Sequence, residues 1–252
     1  MEIQFSGPKI LYTLPFELPV LGRFQLTETI VMSWVVMLLI TGFCIWLTHD
    51  LRLERISRRQ AVAELVGEKA SQFVVGNMGE KFQSFIPFIA ALFATSLVSN
   101  LISLAGFRSP TADLSTGAAW AVVVFLMITW QKIKTNGFGG YLKGFTTHIA
   151  VLTPFNVLSE LATPISMACR HFGNILSGVV ISGLLYAALA AANAAVFGRL
   201  PGALGEVLSQ IPFLSVGIPA FLSVYFDWFS GFMQAFIFCM LTVMYVAAAA
   251  EK

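Results

Sequence analysis

The chain has 252 residues, of which 57% are hydrophobic and only 11% charged. Soluble domains carry about 25% charged residues, so the composition excludes an ordinary soluble domain and points to an integral membrane protein. The formal net charge of +2 excludes little, because membrane orientation is read from where the charges lie. The three cysteines, Cys44, Cys169 and Cys239, sit in apolar stretches without metal-ligand spacing, and a buried free thiol behaves as a small apolar group.

The first residues, MEIQFSGPKILYTLPFELPVLG, are broken by Pro8, Pro15 and Pro19 and lack the apolar core of a signal peptide. Insertion is expected to begin with the first apolar run, at about 29–47, which is long enough for a hydrocarbon layer of about 30 Å. The basic stretch HDLRLERISRRQ follows, then a polar, partly helical linker to Lys81. A second span is expected at about 85–104, with a polar notch at Ser96, Ser99 and Asn100. The loop GFRSPTADLSTG leads to a third span at about 118–130, and QKIKTNGFGGYLKGFTTH then reads as a lysine-bearing loop.

The last two segments are unusually long. Apolar character persists from about 155 to 196, interrupted only by Pro164. As one helix this stretch would span about 60 Å, twice the hydrocarbon thickness. The final segment, about 211–250, is nearly as long. Two steeply tilted helices lying against a partner, joined by FGRLPGALGEVLSQ, suit such lengths. A shorter span preceded by an interfacial helix that breaks at Pro164 is the alternative. The fold class is therefore all-α integral membrane, with about five transmembrane helices. Residues 1–252 form a single membrane domain: an outer N-terminal segment (1–28), three spans with cytoplasmic loops (29–150), and a long hairpin (151–252). No internal repeat is evident, which disfavours inverted-repeat transporters.

Orientation follows from the basic residues. One set of loops holds Arg52, Arg55, Arg58, Arg59, Lys69, Lys81, Lys132, Lys134, Lys143 and Lys252. The other holds Lys9, Arg23, Arg108 and Arg199. The richer set belongs in the cytoplasm, which puts the N-terminus outside and the C-terminus inside.

Within ISMACRHFGNILSGVVISGLL, Arg170 is the only fixed charge. An arginine at the centre of a spanning helix costs about 2.5–3.5 kcal/mol on insertion scales, and it does not escape by losing its proton. At helical spacing Thr163, Ser166, Arg170, Asn174 and Ser177 form one polar stripe, flanked by Gly173 and Gly178. On the last helix Ser223, Asp227, Ser230 and Gln234 form a second, with Asp227 its only carboxylate. Two facing stripes would make a polar seam along which an ion could pass. Plainer readings stand beside this one. Arg170 could snorkel from a helix that starts at Pro164, Asp227 could pair with Arg170 or lie in the outer interface, and Gln234 could be interhelical glue. His171 lies about 100° round the helix from Arg170 and should face elsewhere. No phosphate loop, dinucleotide fingerprint, nucleophile elbow or metal-ligand spacing occurs, so neither cofactor nor metal nor nucleic acid is expected.

RHFGN followed by MQAFIFCMLTVMY closely resembles subunit a of F-type ATP synthases, the ion-channel subunit of the membrane sector, in its bacterial form. SPTADLS and FNVLSELATPISMACRHFGN are similar to that family too, and the likeness runs from about residue 80 to the C-terminus. It implies a subunit that is no enzyme on its own, seated in the cell membrane. The implied partners are a ring of hairpin subunits with a buried carboxylate, a peripheral-stalk subunit, the soluble ATPase sector and the bilayer. Arg170 matches the family's essential arginine, Asn174 the asparagine four residues on, Gln234 the glutamine of the last helix, and Asp113 the loop aspartate. Asp227 lies where the family often has His or Glu. The expected outer path uses Asp227, Gln234 and Asn174, and the inner path Ser166 and Glu160. Departures are Val179, where many members carry a carboxylate or histidine, His171 in place of leucine, and Asn156, where a carboxylate is often found one turn before Glu160. A proton or sodium could be the coupling ion. From the residues alone, a stand-alone transporter or channel that uses Arg170 to bind an anion, or a membrane scaffold, stays open.

Overall fold

A computed structural model describes residues 8–18, 22–52, 57–145, 153–197 and 224–250. The chain is an all-α membrane protein, to which the N-terminal segment adds one small element. That segment forms a two-stranded antiparallel hairpin of β1 (Ile10–Leu18) and β2 (Gly22–Thr27), with Leu18 opposite Gly22 and Ile10 opposite Thr27. Alternating apolar residues in ILYTLPFEL suit a strand, and Pro15 falls where the register slips between Thr13 and Glu17, a position that tolerates a missing N–H. The strand leads directly into the first span, and the Glu28 amide donates to the Lys9 carbonyl at 2.9 Å.

Helix α1 (Glu28–Thr48) is the first span, within a residue of expectation at each end. The linker is fully helical as α2 (Arg58–Met78), started by the Ser57 side chain, which accepts from the Gln60 amide. Helix α3 (Ile86–Leu101) is extended at both ends by 3₁₀ turns, Glu80–Phe85 and Ile102–Ala105. Helix α4 (Leu114–Gly144) continues through most of what reads as a lysine-bearing loop. Gly137, at φ +73°, is the only break in it, a conformation that glycine supplies without steric cost.

Helix α5 (Thr153–Phe197) is continuous over 45 residues with Pro164 inside it. At 1.5 Å per residue it is about 68 Å long, so the shorter span broken at Pro164 is set aside. Pro164 has no N–H to give the carbonyl of Glu160, four residues earlier, and spanning helices tolerate this when neighbours supply partners. A π-helical turn, Val224–Ser230, opens into α6 (Gly231–Ala250). The connecting sequence FGRLPGALGEVLSQ and Ser223 lie outside the described residues, as does the expected start of the last helix near residue 211.

Among the described residues, five helices are long and apolar enough to cross a membrane. Among them α6 is the most enclosed, while α1 and α5 turn most of their surface outward. Phe238, Val246 and Ala249 of α6 pack with Ala121, Val124 and Ile128 of α4 and with Met167 and Ala168 of α5. Cys239 and Val243 pack on the other side against Ile89 of α3 and Val74 of α2. Helices α4 and α5 approach closely at Gly117, where an added Cβ would lie 3.4 Å from the Ala168 carbonyl oxygen. Small residues permit such contacts where no hydrophobic drive brings helices together.

The polar notch of α3 is a fastening point. Buried Asn100 donates to the Gly231 carbonyl at 2.9 Å and accepts from the Thr111 hydroxyl at 2.7 Å. The Ser109 hydroxyl donates to the Ser99 carbonyl at 2.6 Å. Asp113 is held by the Arg108 guanidinium at 3.0 Å and accepts from the Thr29 hydroxyl. Together these bonds tie α1, the end of α3, the loop before α4 and the start of α6 into one unit.

A Cβ at Gly231 would lie 2.9 Å from Asn100 Cβ, whereas one at Gly42 would meet nothing within 4 Å. Gly231→Ala should therefore lower stability by about 1–3 kcal/mol, the usual cost of overpacking. Gly42→Ala should not lower it. Denaturant unfolding in detergent micelles, followed by Trp fluorescence, checks both.

Candidate functional site

Two junctions bring α5 and α6 together. In the first, the Ser230 hydroxyl donates to Asn174 Oδ1 at 2.9 Å, and Asn174 Nδ2 donates to the Ser230 carbonyl at 3.3 Å. In the second, Gln234 Nε2 lies 3.5 Å from His171 Nδ1, both residues being buried. His171 is 0% exposed and stands edge-on to Trp120 of α4 and Phe238 of α6, with ring centroids 5.6 and 5.7 Å away. Its Nε2 has no hydrogen-bond partner among the described residues.

Arg170 and His171 therefore point to opposite surroundings, as their 100° separation on the helix requires. Arg170 lies on the exposed face of α5, and makes no hydrogen bond or ion pair with any described residue. Around it on that face are Ala162, Ser166, Cys169, Gly173 and Ser177, all small. Ser177 donates back to the Gly173 carbonyl at 2.7 Å, and Thr163 to the Ser159 carbonyl at 3.3 Å, so both hydroxyls are satisfied within the helix. With its helix running unbroken from Thr153, Arg170 sits more than four turns from the N-terminal end. It is too deep to count as a residue beside a helix start at Pro164.

Between α4, the first half of α5 and the end of α6 lies a cavity of about 500 Å³. Glu160, Asn156, Ser159 and Thr163 of α5 line it, together with Lys132 and Tyr141 of α4. Lys132 Nζ lies 2.7 Å from Glu160 Oε1, and the Tyr141 hydroxyl donates to the same oxygen at 3.4 Å. Asn156 donates to the Phe145 carbonyl at 2.9 Å. Thr163 and Arg170 are seven residues apart, about 10 Å along the helix.

The sequence-derived site residues are thus divided. Glu160 faces the cavity, while Ser166 is on the exposed face beside Arg170 and does not line it. Asn174 and Gln234 both reach the α5–α6 contact, but Gln234 meets His171, not Arg170. Asp227 falls on the π-helical turn, and its side chain lies outside the described part of the structure, as does that of Val179. In a π turn the hydrogen bonds run from i to i+5. The four-and-three spacing that aligns residues on an α-helix therefore does not by itself align Asp227 with Ser230. Sequence reading passed over His171, whose signal was its rotation towards the packed side. It also passed over Lys132 and Tyr141, which sit on a stretch read as loop.

Comparison with known proteins gives one answer throughout. Residues 30–247 match the protein family described as ATP synthase A chain. The chain is 33% identical over 235 residues to ATP synthase subunit a 1 of Prosthecochloris aestuarii, covering 92% of this chain and 93% of that protein. It is 30% identical over 258 residues to a Propionigenium modestum protein named ATP synthase subunit a, sodium ion specific, covering 95% and 80%. ATP synthase subunit a 1 of Chlorobaculum parvum is 33% identical over 231 residues, covering 90% of each.

The reciprocal Asn174–Ser230 contact should couple the two helices. In a double-mutant cycle of Asn174→Ala and Ser230→Ala, the expected interaction energy is about 0.5–1.5 kcal/mol. Denaturant unfolding in micelles measures it, and additive effects would mean that the contact contributes nothing.

Proposed function

The chain belongs to the ATP synthase A chain family, and on that premise we propose that it is the ion-translocating subunit of the membrane sector, with Arg170 as the charge that drives ion exchange on a rotating ring. The chain itself catalyses no covalent step. Its proposed partners are the ring of hairpin subunits, each with a buried carboxylate, a peripheral-stalk subunit and, through the complex, the soluble ATPase sector. Family membership favours this reading over a stand-alone transporter or a scaffold.

The observation that carries it is the setting of Arg170: a permanent charge without a partner among the described residues, on the small-residue face of a long membrane helix. Small residues let another helix come close, so the face suits the passage of ring helices. A ring carboxylate that crosses lipid must be neutral, because bare charge is too costly there. As it reaches Arg170 the cation favours its ionised form and releases the proton or sodium. At about 4 Å and an effective dielectric near 20 the attraction is about 4 kcal/mol. That is enough to discharge the carboxylate without locking the pair. The same charge repels a cation that would slip straight from one side to the other.

Ions then enter and leave by separate paths. The inner path is the Glu160 cavity, which rises to within about 10 Å of Arg170, with Ser166 beside the ring-facing surface. The outer path uses Asn174, Gln234 and Asp227. The excess of basic residues from Arg52 to Lys81 and on the last part of α4 (Lys132, Lys134 and Lys143) supports a cytoplasmic position for the cavity and an outer position for the N-terminal hairpin. On this reading α5 and α6 belong to the tilted hairpin of residues 151–252, and the membrane is the bacterial plasma membrane. Either a proton or sodium serves as the coupling ion on this reading.

In vesicles that carry the whole complex, Arg170→Ala should abolish ATP synthesis and raise passive ion leak severalfold. The sodium dependence of the unaltered complex then names the ion. Intact synthesis in Arg170→Ala would overturn the reading.

A further inference from the structure

The cavity holds a charge pair that ion release at Arg170 does not require. Among the described residues, the titratable groups lining it are Glu160 from α5, Lys132 and Tyr141 from α4, and Tyr245 from α6. The Glu160 side chain is 14% exposed, and its oxygen takes both the Lys132 ammonium at 2.7 Å and the Tyr141 hydroxyl at 3.4 Å. Without Lys132 the cavity would present a carboxylate among the oxygens of Asn156, Ser159 and Thr163. Hard cations are held by donor sets of this kind.

We propose that Lys132 is a tethered counter-cation that keeps Glu160 from retaining the translocated ion, so that the inner cavity passes cations without storing them. The proposal rests on the reading of this cavity as the inner access path. Conduction needs sites that attract an ion enough to admit it and bind it weakly enough to let it go. A lone carboxylate, part-buried and hydrogen-bonded, meets the first need and fails the second. With Lys132 attached, an arriving cation competes against an ammonium whose effective concentration is set by a short stem and does not fall with dilution. Lysine suits the task. Its compact charge on a flexible four-carbon stem can swing aside, whereas an arginine fork would hold the carboxylate in two-point geometry.

The test uses inverted vesicles with the whole complex, so that the cavity faces the bath. ATP-driven uptake is measured against bath proton concentration and, separately, bath sodium, following whichever the unaltered complex responds to. Lys132→Gln should lower the half-saturating cation concentration at least threefold. Glu160→Gln leaves an unpaired ammonium and should raise it at least threefold. The double substitution removes both charges and should return it to within twofold of the unaltered complex. Where Lys132→Gln fails to assemble, as judged by co-purification of the ring, Glu160→Gln against the double substitution decides. A shift in Glu160→Gln that persists unchanged in the double substitution would overturn the counter-cation role and leave the inner path standing. Flat responses in all three would overturn the role and the inner path together, while Arg170→Ala would still report on the ring contact.

Discussion

A guanidinium keeps its proton at any depth in a membrane, and the arrangement of this chain follows from having one in the middle of α5. An uncompensated charge there is tolerated only where something other than lipid meets it. The chain supplies no internal partner among its described residues. It turns Arg170 to the exposed face and surrounds it with Ala162, Ser166, Cys169, Gly173 and Ser177. The compensation has to arrive from outside, and on the proposed reading it arrives with each carboxylate of the ring.

The polar groups that face inward behave in the opposite way. Asn100, Thr111 and Ser109 close on one another and on the backbone of α3 and α6. Asn174 and Ser230 exchange two bonds, and Gln234 takes up His171. Lipid offers no hydrogen-bond partners, so each such group must be satisfied within the protein. His171 has a second consequence. By engaging Gln234 on the packed side, it keeps that amide away from Arg170, which lies round the helix. Among the described residues His171 Nε2 in the packed cluster and Ser96 Oγ in the α3 notch are buried exceptions, with no hydrogen-bond partner.

Much of this was legible in the sequence. Long apolar runs placed α1, α3, α4 and α5, because hydropathy at a span's length has few other meanings. The continuity of α5 was expected from its length, and Pro164 did not break it because neighbours can compensate one missing N–H in a membrane helix. The polar residues Ser96, Ser99 and Asn100 on α3 were visible as a notch, though the partners of Asn100 were not, since they come from sequence-distant segments. The hairpin at Ile10–Thr27 was missed. Its prolines read as breakers, yet a register slip accommodates Pro15. The extension of α4 was missed because lysines and glycines resemble a loop, and with it went Lys132 and Tyr141. Their approach to Glu160 depends on two antiparallel helices, which no local pattern encodes. Arg170, Asn174, Gln234 and Glu160 stood out as polar residues in apolar runs. His171 stood out equally and was set aside on its angle, which correctly separated it from Arg170 but concealed its contact with Gln234.

The start of α6 is where these demands meet. Gly231 must stay small because Asn100 presses on it from α3, and Ser230, one residue earlier, must reach Asn174 on α5. Gln234 then meets His171 one turn later. Adjacent residues on an α-helix diverge by about 100°, so Ser230 and Gly231 can serve two different neighbours only if the helix enters at one particular rotation. The π turn at Val224–Ser230 is the device that sets it, since a wider turn shifts every following residue round the axis relative to an α-helical approach. Fixing α6 in this way fixes Phe238, which packs on both His171 and Trp120, and through them the rotation of α5. The face on which Arg170 appears is thus decided at the opposite helix, by a glycine, an asparagine and one irregular turn.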